Sequence, residues 1–344
     1  MNKKGDVAAL VNVLQYLTKK YAEQKIELPE ANLAAMRDIG IVLGSLKRHG
    51  VEPIAAVPEV EQQLLDLGYA TDMIPRDTVH HYTTWNPLGL RRRKYTFDEQ
   101  EGWLQDAVAF VFPSLSASLE ISEALSKMET RDVRFGPTVD MLTHASRVMV
   151  EAIESVTAKV SPIFFAQTLR PYFEEITVGG RTYLGPAAAQ SPLWLIHLCV
   201  WASDRNQPDY QSFLLESIEY SLPPWRAFYL RHTLKPSMVS RITEDYKTID
   251  SQLMEGLIRS TTSLTELLTT LRQFRARHIG MAHRAYSEEV RLYDHGSGGA
   301  PVALLKQILD LTRENEKLMR NASDFNRHRD NQLKTNANSL VSSL

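Results

Sequence analysis

The sequence predicts an all-α protein, a large helical domain preceded by a smaller, mostly helical one. Three observations predict it. Apolar residues recur at helical spacing through most of the 344 residues. Strand-like runs do not alternate with helices, and no Gly-rich phosphate loop follows a strand, which disfavours a parallel-sheet enzyme. The one β-prone stretch, Glu175 to Tyr183, is two triplets flanking Gly179-Gly180, the pattern of a single tight hairpin.

Residues 7–24 carry Leu10, Val13, Leu14 and Leu17 on one stripe, and residues 30–48 carry Met36, Ile39, Leu43 and Leu46 on another, ended by Gly50. Segment 58–68 reads as a short helix. Pro75, Asn86-Pro87 and the basic run Arg91 to Lys94 mark an irregular boundary, so the small domain is expected over 1–98. Helical patterns then cover 99–128, 135–159, 161–174, 190–203, 209–221, 223–233, 236–247, 250–287 and 301–325, giving a large domain over 99–325. Residues 326–344 are polar, rich in Asn, Arg and Ser, and lack an apolar stripe; a disordered tail is expected there.

Composition narrows the function. A chain of this length buries a core without disulfides or a structural metal. Its 39 basic and 41 acidic residues leave a formal net charge of -2 with no long block of one sign, so no nucleic-acid surface is expected. No apolar run approaches the roughly 18 residues of a membrane span, and the N-terminus leads into an amphipathic segment, so no membrane partner and a cytoplasmic location are expected. The single cysteine, Cys199, lies in the apolar run Leu195 to Trp201 and reads as a small buried hydrophobe in a reducing compartment. Neither Cys/His zinc spacing nor His-Glu-x-x-His occurs. An enzyme of this make-up takes its chemistry from a cofactor.

His278 is the residue best placed to hold one. Leu264, Leu267, Leu268, Leu271, Phe274, His278, Met281, Ala282 and Ala285 form one helical stripe, whereas His283 is rotated about 140° away. A histidine on such a face is ordinarily a core residue hydrogen-bonded to a neighbour. It is also the residue that binds iron through one ring nitrogen while the other donates to an acceptor. Arg272, Arg275 and Arg277 lie within two turns, and haem propionates need cationic partners; a solvated basic face explains the same arginines. Downstream, Gly296-Ser297-Gly298-Gly299 precedes a helix that opens at Pro301. The loop lets backbone N–H groups approach a ligand, or simply joins two helices. Arg170, at the end of Ile163 to Arg170 with Phe164, Phe165 and Leu169, suits capture of a carboxylate against an apolar wall, or a structural ion pair.

Four segments together resemble the indoleamine 2,3-dioxygenase superfamily: Phe165 to Arg170, Ala188-Ala-Gln-Ser191 with its apolar helix, Leu222-Pro-Pro-Trp-Arg226, and Arg275-Ala-Arg-His278 followed by Gly296 to Gly299. A closer resemblance is to that superfamily's pyrrolnitrin-biosynthesis enzymes, which rearrange 7-chlorotryptophan into an aminophenylpyrrole. It is carried by Ala35 to Gly40, Leu43 to Gly50, Trp85-Asn-Pro87, Leu169-Arg-Pro171, Val178-Gly-Gly180, Tyr183 to Pro186, Phe274 to His278 and Arg284-Ala-Tyr286. Gln190-Ser191-Pro192 departs towards the dioxygenases, and the 287–295 loop is longer than its counterpart.

The resemblance implies a cofactor, haem b, with His278 as the proximal iron ligand and Arg275 on a propionate. It implies Arg170, Tyr286, Ser297 and Gly298 as holders of a tryptophan-like substrate, O₂ as co-substrate, and an electron donor for haem reduction. Phe112, Pro113 and Ser114 fall where a distal-pocket helix passes. The expected reaction is oxidation or rearrangement of an indole ring in secondary metabolism. Ring cleavage to N-formylkynurenine, a haem-binding sensor without turnover, and a helical interaction protein with His278 in its core stay open at this level.

Overall fold

The computed structural model describes residues 2–23, 28–187, 192–248, 254–287, 289–293 and 299–341, with side chains as far as Ala322. Two helices start the chain, α1 (Val7–Glu23) and α2 (Pro29–Arg48), followed by one turn, α3 (Pro53–Ala56), and α4 (Glu59–Thr71). Pro29 opens α2 where its missing N–H costs nothing. Leu10 and Leu14 of α1, Met36, Ile39, Leu43 and Leu46 of α2, and Val60, Leu64 and Leu67 of α4 are buried together. Each large aliphatic removed from water contributes about 1.5–3 kcal/mol.

A single turn, α5 (Val79–Tyr82), leads by way of residues 83–98 into α6 (Glu99–Leu125), which Asp98 starts by accepting the Gln100 N–H at 2.9 Å. Three further long helices are α7 (Phe135–Lys159), α12 (Met254–Ala285) and α13 (Val302–Val341). The packing runs α6 on α7, α7 on α12 and α12 on α13. Between α7 and α12 lie α8 (Leu193–His197), α9 (Pro208–Ile218), α10 (Pro223–His232) and α11 (Met238–Thr248), which complete the large core. The fold is all-α.

The hairpin is where the sequence puts it. β1 (Ile176–Val178) pairs antiparallel with β2 (Arg181–Tyr183), Ile176 opposite Tyr183, and Gly179 and Gly180 turn the chain with φ of 58° and 75°, left-handed values that glycine adopts without strain. Ile176, Val178 and Tyr183 pack into the core of α1, α2 and α4, so a segment late in the chain covers the N-terminal helices.

Three departures have physical causes. The helix expected over 161–174 is a π-helical stretch, Phe164–Leu169, followed by a 3-10 turn, Arg170–Phe173. Pro171 has no N–H to continue an α ladder. The helix expected over 190–203 starts at Leu193, after Pro192, and widens into a π-helix at Leu198–Ala202. α13 runs on to Val341, into the stretch over which a disordered tail is expected, and no Gly or Pro after Pro301 interrupts it. One further point corrects the run-length reading: α6 alone, among the described residues, has the length and apolar composition of a membrane-spanning helix. Here it packs along α7, and its buried Glu101 accepts hydrogen bonds from the Tyr82 hydroxyl at 2.9 Å and the Tyr95 N–H at 2.7 Å.

Candidate functional site

The site begins on α12. Leu264, Leu267, Leu268, Leu271, Arg275, Ile279, Ala282 and Ala285 are buried along it, and Phe274, His278 and Met281 form the half-buried flank beside them. His283 is exposed. The arginine, at 7% exposure, lies deeper than the histidine. His278 stacks on Phe274 at 5.8 Å between ring centroids, and its Nδ1 is buried without a hydrogen-bond partner. Burial, with Arg275 nearby, pushes the imidazole down to about 4, so it is neutral at pH 7.

Of the three arginines singled out in the sequence, two are structural. Arg272 pairs with Glu316 of α13 at 2.5 Å, and Arg277 with Glu154 of α7 at 2.7 Å. Arg275 is different. Its Nη2 lies 3.4 Å from His197 Nδ1, its Nε is buried with no partner, and no carboxylate among the described residues is ion-paired with it. Burial pulls the guanidinium down to about 10, an indication of how strongly the interior disfavours an uncompensated charge. His197 shares its Nδ1 with the Tyr210 hydroxyl at 3.2 Å, and Tyr210 stacks on Trp201 at 5.4 Å.

Arg170 closes the π-helical stretch, and π-helices are frequent at functional sites. It is 4% exposed, donates from Nη1 to the Phe173 carbonyl at 3.3 Å and leaves Nε buried without a partner. No carboxylate among the described residues is ion-paired with it. Tyr293 covers its guanidinium at 4.2 Å from ring centre to Cζ. Phe164 and Leu169 belong to an aromatic cluster with Tyr82, Tyr95, Tyr172 and Phe173, against which Phe165 and Met281 of α12 pack. Gln167 donates to the Val290 carbonyl at 3.0 Å, so the chain leaving α12 returns across the Arg170 segment. Tyr286 is half-buried at the exit of α12, its N–H bonded to the Ala282 carbonyl at 2.9 Å. Ser297 and Gly298 lie outside the described residues.

Phe112 is buried, with its ring 4.6 Å from His80 and 6.1 Å from Trp225. Pro113 is exposed within α6, and Ser114 is half-buried, its carbonyl accepting from the Ser118 hydroxyl. Sequence reasoning missed His197, Tyr210, Tyr293 and His80. A signal existed for His197 and His80, a polar ring inside or beside an otherwise apolar run; Tyr293 stands in a loop with no periodicity to place it.

Burying a cation with no counter-ion is costly unless a partner arrives with opposite charge. A neutral imidazole, two buried arginines each with an unpartnered Nε, and apolar packing between α12 and the Phe164 segment define a class: an all-helical protein that carries cationic side chains in its interior. The chain belongs to the monodechloroaminopyrrolnitrin synthase PrnB family, whose model matches residues 10–335.

Proposed function

We propose that the protein is a haem b enzyme that oxidises or rearranges the indole ring of tryptophan or a substituted tryptophan, such as 7-chlorotryptophan, with O₂ and an external electron donor. The observation that carries the reading is Arg275, a buried cation with an unpartnered nitrogen and no ion-paired carboxylate among the described residues, one turn before a neutral His278 whose Nδ1 is also unpartnered. Family membership supports the reading, since the synthase named for that family makes a pyrrolnitrin precursor, and the resemblance to indoleamine 2,3-dioxygenases supplies haem as the group.

On this reading His278 would hold the haem iron and Arg275 would meet a propionate. Haem would supply the O₂ chemistry that no side chain provides. The chain's own residues bind, orient and exclude water. Arg170 holds the substrate carboxylate, since a guanidinium with an unpartnered nitrogen suits a charge-assisted, planar contact. The resemblance adds Tyr286, Ser297 and Gly298 as holders of the amino-acid part of the substrate. The aromatic cluster around Phe164 and Met281 keeps the site dry, which strengthens each polar contact within it. The work is done in the cytoplasm, where Cys199 stays a buried thiol.

The test is anaerobic reduction of haem-loaded protein, addition of L-tryptophan or 7-chloro-L-tryptophan, exposure to O₂, and mass spectrometry of the products. An aminophenylpyrrole selects rearrangement, and N-formylkynurenine selects ring cleavage. Unchanged substrate in every case contradicts the enzyme reading and leaves a haem-binding sensor.

A further inference from the structure

A cavity that neither Arg275 nor His278 lines lies elsewhere in the large core. It encloses about 220 Å³ between the C-terminal end of α6, the π-helical turn at Leu198–Ala202, and the α10–α11 connection. Ser122, Ser126 and Ser203 bring hydroxyls, Cys199, Pro236 and Met238 an apolar floor, and His232, Lys235 and Arg241 basic groups. Cys199 follows His197 by two residues, roughly half a helical turn, so the turn that backs the Arg275 site presents its other side here.

The polar groups of this cavity are unevenly satisfied. His232 Nε2 is 2.7 Å from Glu123 Oε2, and that carboxylate is also met by Lys127 at 3.1 Å and Arg231 at 3.3 Å, so its charge is already compensated. Arg241 hydrogen-bonds the Leu125 and Met128 carbonyls. Lys235 has no ion-pair partner among the described residues, and the Ser203 hydroxyl is buried with no partner at all. Asp245 offsets part of the Arg241 charge, so the surplus is the Lys235 ammonium; that cation and an unsatisfied hydroxyl beside an apolar floor are complementary to an anion that carries a carbon skeleton. The volume, below the roughly 300–1,000 Å³ of drug-sized pockets, limits that skeleton to a small one.

We propose that this cavity is a binding site for a small organic carboxylate, its apolar body against Cys199, Pro236 and Met238 and its carboxylate near Lys235 and Arg241, with Ser203 as a hydrogen-bond donor. The site is independent of the cofactor reading and holds whether or not haem is bound.

Cys199 is the only cysteine, so its alkylation reports on this cavity alone. Burial pushes the thiol up to about 12, so modification by iodoacetamide is slow and is followed over hours by mass spectrometry. The full-length protein is titrated with benzoate, inorganic phosphate and benzyl alcohol, with ligand-observed NMR in parallel. Benzoate is expected to bind and to slow alkylation. Its affinity falls roughly tenfold in Lys235→Gln, an exposed position that does not threaten folding, and falls again at high salt. Ser126→Leu, which fills the cavity, abolishes both effects. Binding of benzyl alcohol or phosphate as tight as benzoate overturns the proposal. So does benzoate binding unchanged in Lys235→Gln, or no protection of Cys199 at saturating benzoate.

Discussion

Arg275 Nη2 lies 3.4 Å from His197 Nδ1, so the buried guanidinium meets an imidazole where a carboxylate would be expected. Burial of both, each charge disfavouring the other, keeps His197 neutral well below its ordinary value. The pair is therefore a cation beside a neutral ring. Arg275→Met removes the uncompensated charge while keeping a flexible apolar side chain. Cofactor-free protein should gain about 1–3 kcal/mol in denaturant unfolding. Haem affinity should fall roughly tenfold or more in a spectroscopic titration. A variant that loses stability without haem would show that Arg275 is a core strut and not a cofactor contact.

Arg170→Gln keeps a polar group of similar reach but removes the charge and the planar fork. Substrate KM should rise by roughly 10- to 100-fold, corresponding to about 1.5–3 kcal/mol for a charged hydrogen bond, with kcat less affected. Steady-state kinetics against L-tryptophan and against tryptamine, which lacks the carboxylate, checks it. The wild type should prefer tryptophan and the variant should lose that preference.

Gly44 is where α2 touches the segment after Arg170. A Cβ there would lie 2.5 Å from the Tyr172 carbonyl and 2.6 Å from the Tyr95 hydroxyl, and the first of these is backbone. Gly44→Ala should destabilise by about 1–3 kcal/mol through overpacking. Gly280, on the exposed face of α12 with open space around it, is the control: alanine there should stabilise by about 0.5–1 kcal/mol. Chemical denaturation of both variants separates close approach from helix propensity.

Asp38 of α2 accepts from Arg93 Nε and Nη2, both at 3.0 Å, and from Arg37 Nε at 3.0 Å. Burial raises its pKa, but the hydrogen bonds and charges of Arg93 and Arg37 outweigh burial and hold the carboxyl below its ordinary value. A depressed carboxyl contributes stability above its unfolded pKa of about 4 and loses it as pH falls through the folded value. Asp38→Asn should therefore unfold more easily at pH 7 and show a flatter acid limb in Tm against pH. An unchanged acid limb would assign the acid sensitivity to other carboxyls.

Helical periodicity made most of the fold legible, because Leu264, Leu271 and Ala282 share one stripe of α12, Leu10 and Leu14 one of α1, and Met36, Ile39 and Leu43 one of α2, and burial follows those stripes. The hairpin was legible from the two β-prone triplets that flank Gly179-Gly180. What periodicity does not carry is a change of pitch: the π-helical turns ending at Leu169 and running through Leu198–Ala202 contain no residue type peculiar to them. The site was legible in half. Arg275 and His278 stand on one helix, where spacing fixes their faces. His197 reaches Arg275 and Tyr293 reaches Arg170 from other parts of the chain, and only tertiary packing brings them there. Arg272 and Arg277 looked equivalent to Arg275 in sequence; their partners Glu316 and Glu154, 44 and 123 residues away by number, distinguish them.

The central claim is that His278 holds haem. Full-length protein titrated with haem should develop a Soret band that saturates at one equivalent. His278→Ala should lose that band or shift it to the position of unligated haem, and His283→Ala, on the exposed side of the same helix, should titrate as the wild type does. No Soret band in the wild type, or a His278→Ala titration identical to it, would contradict the account.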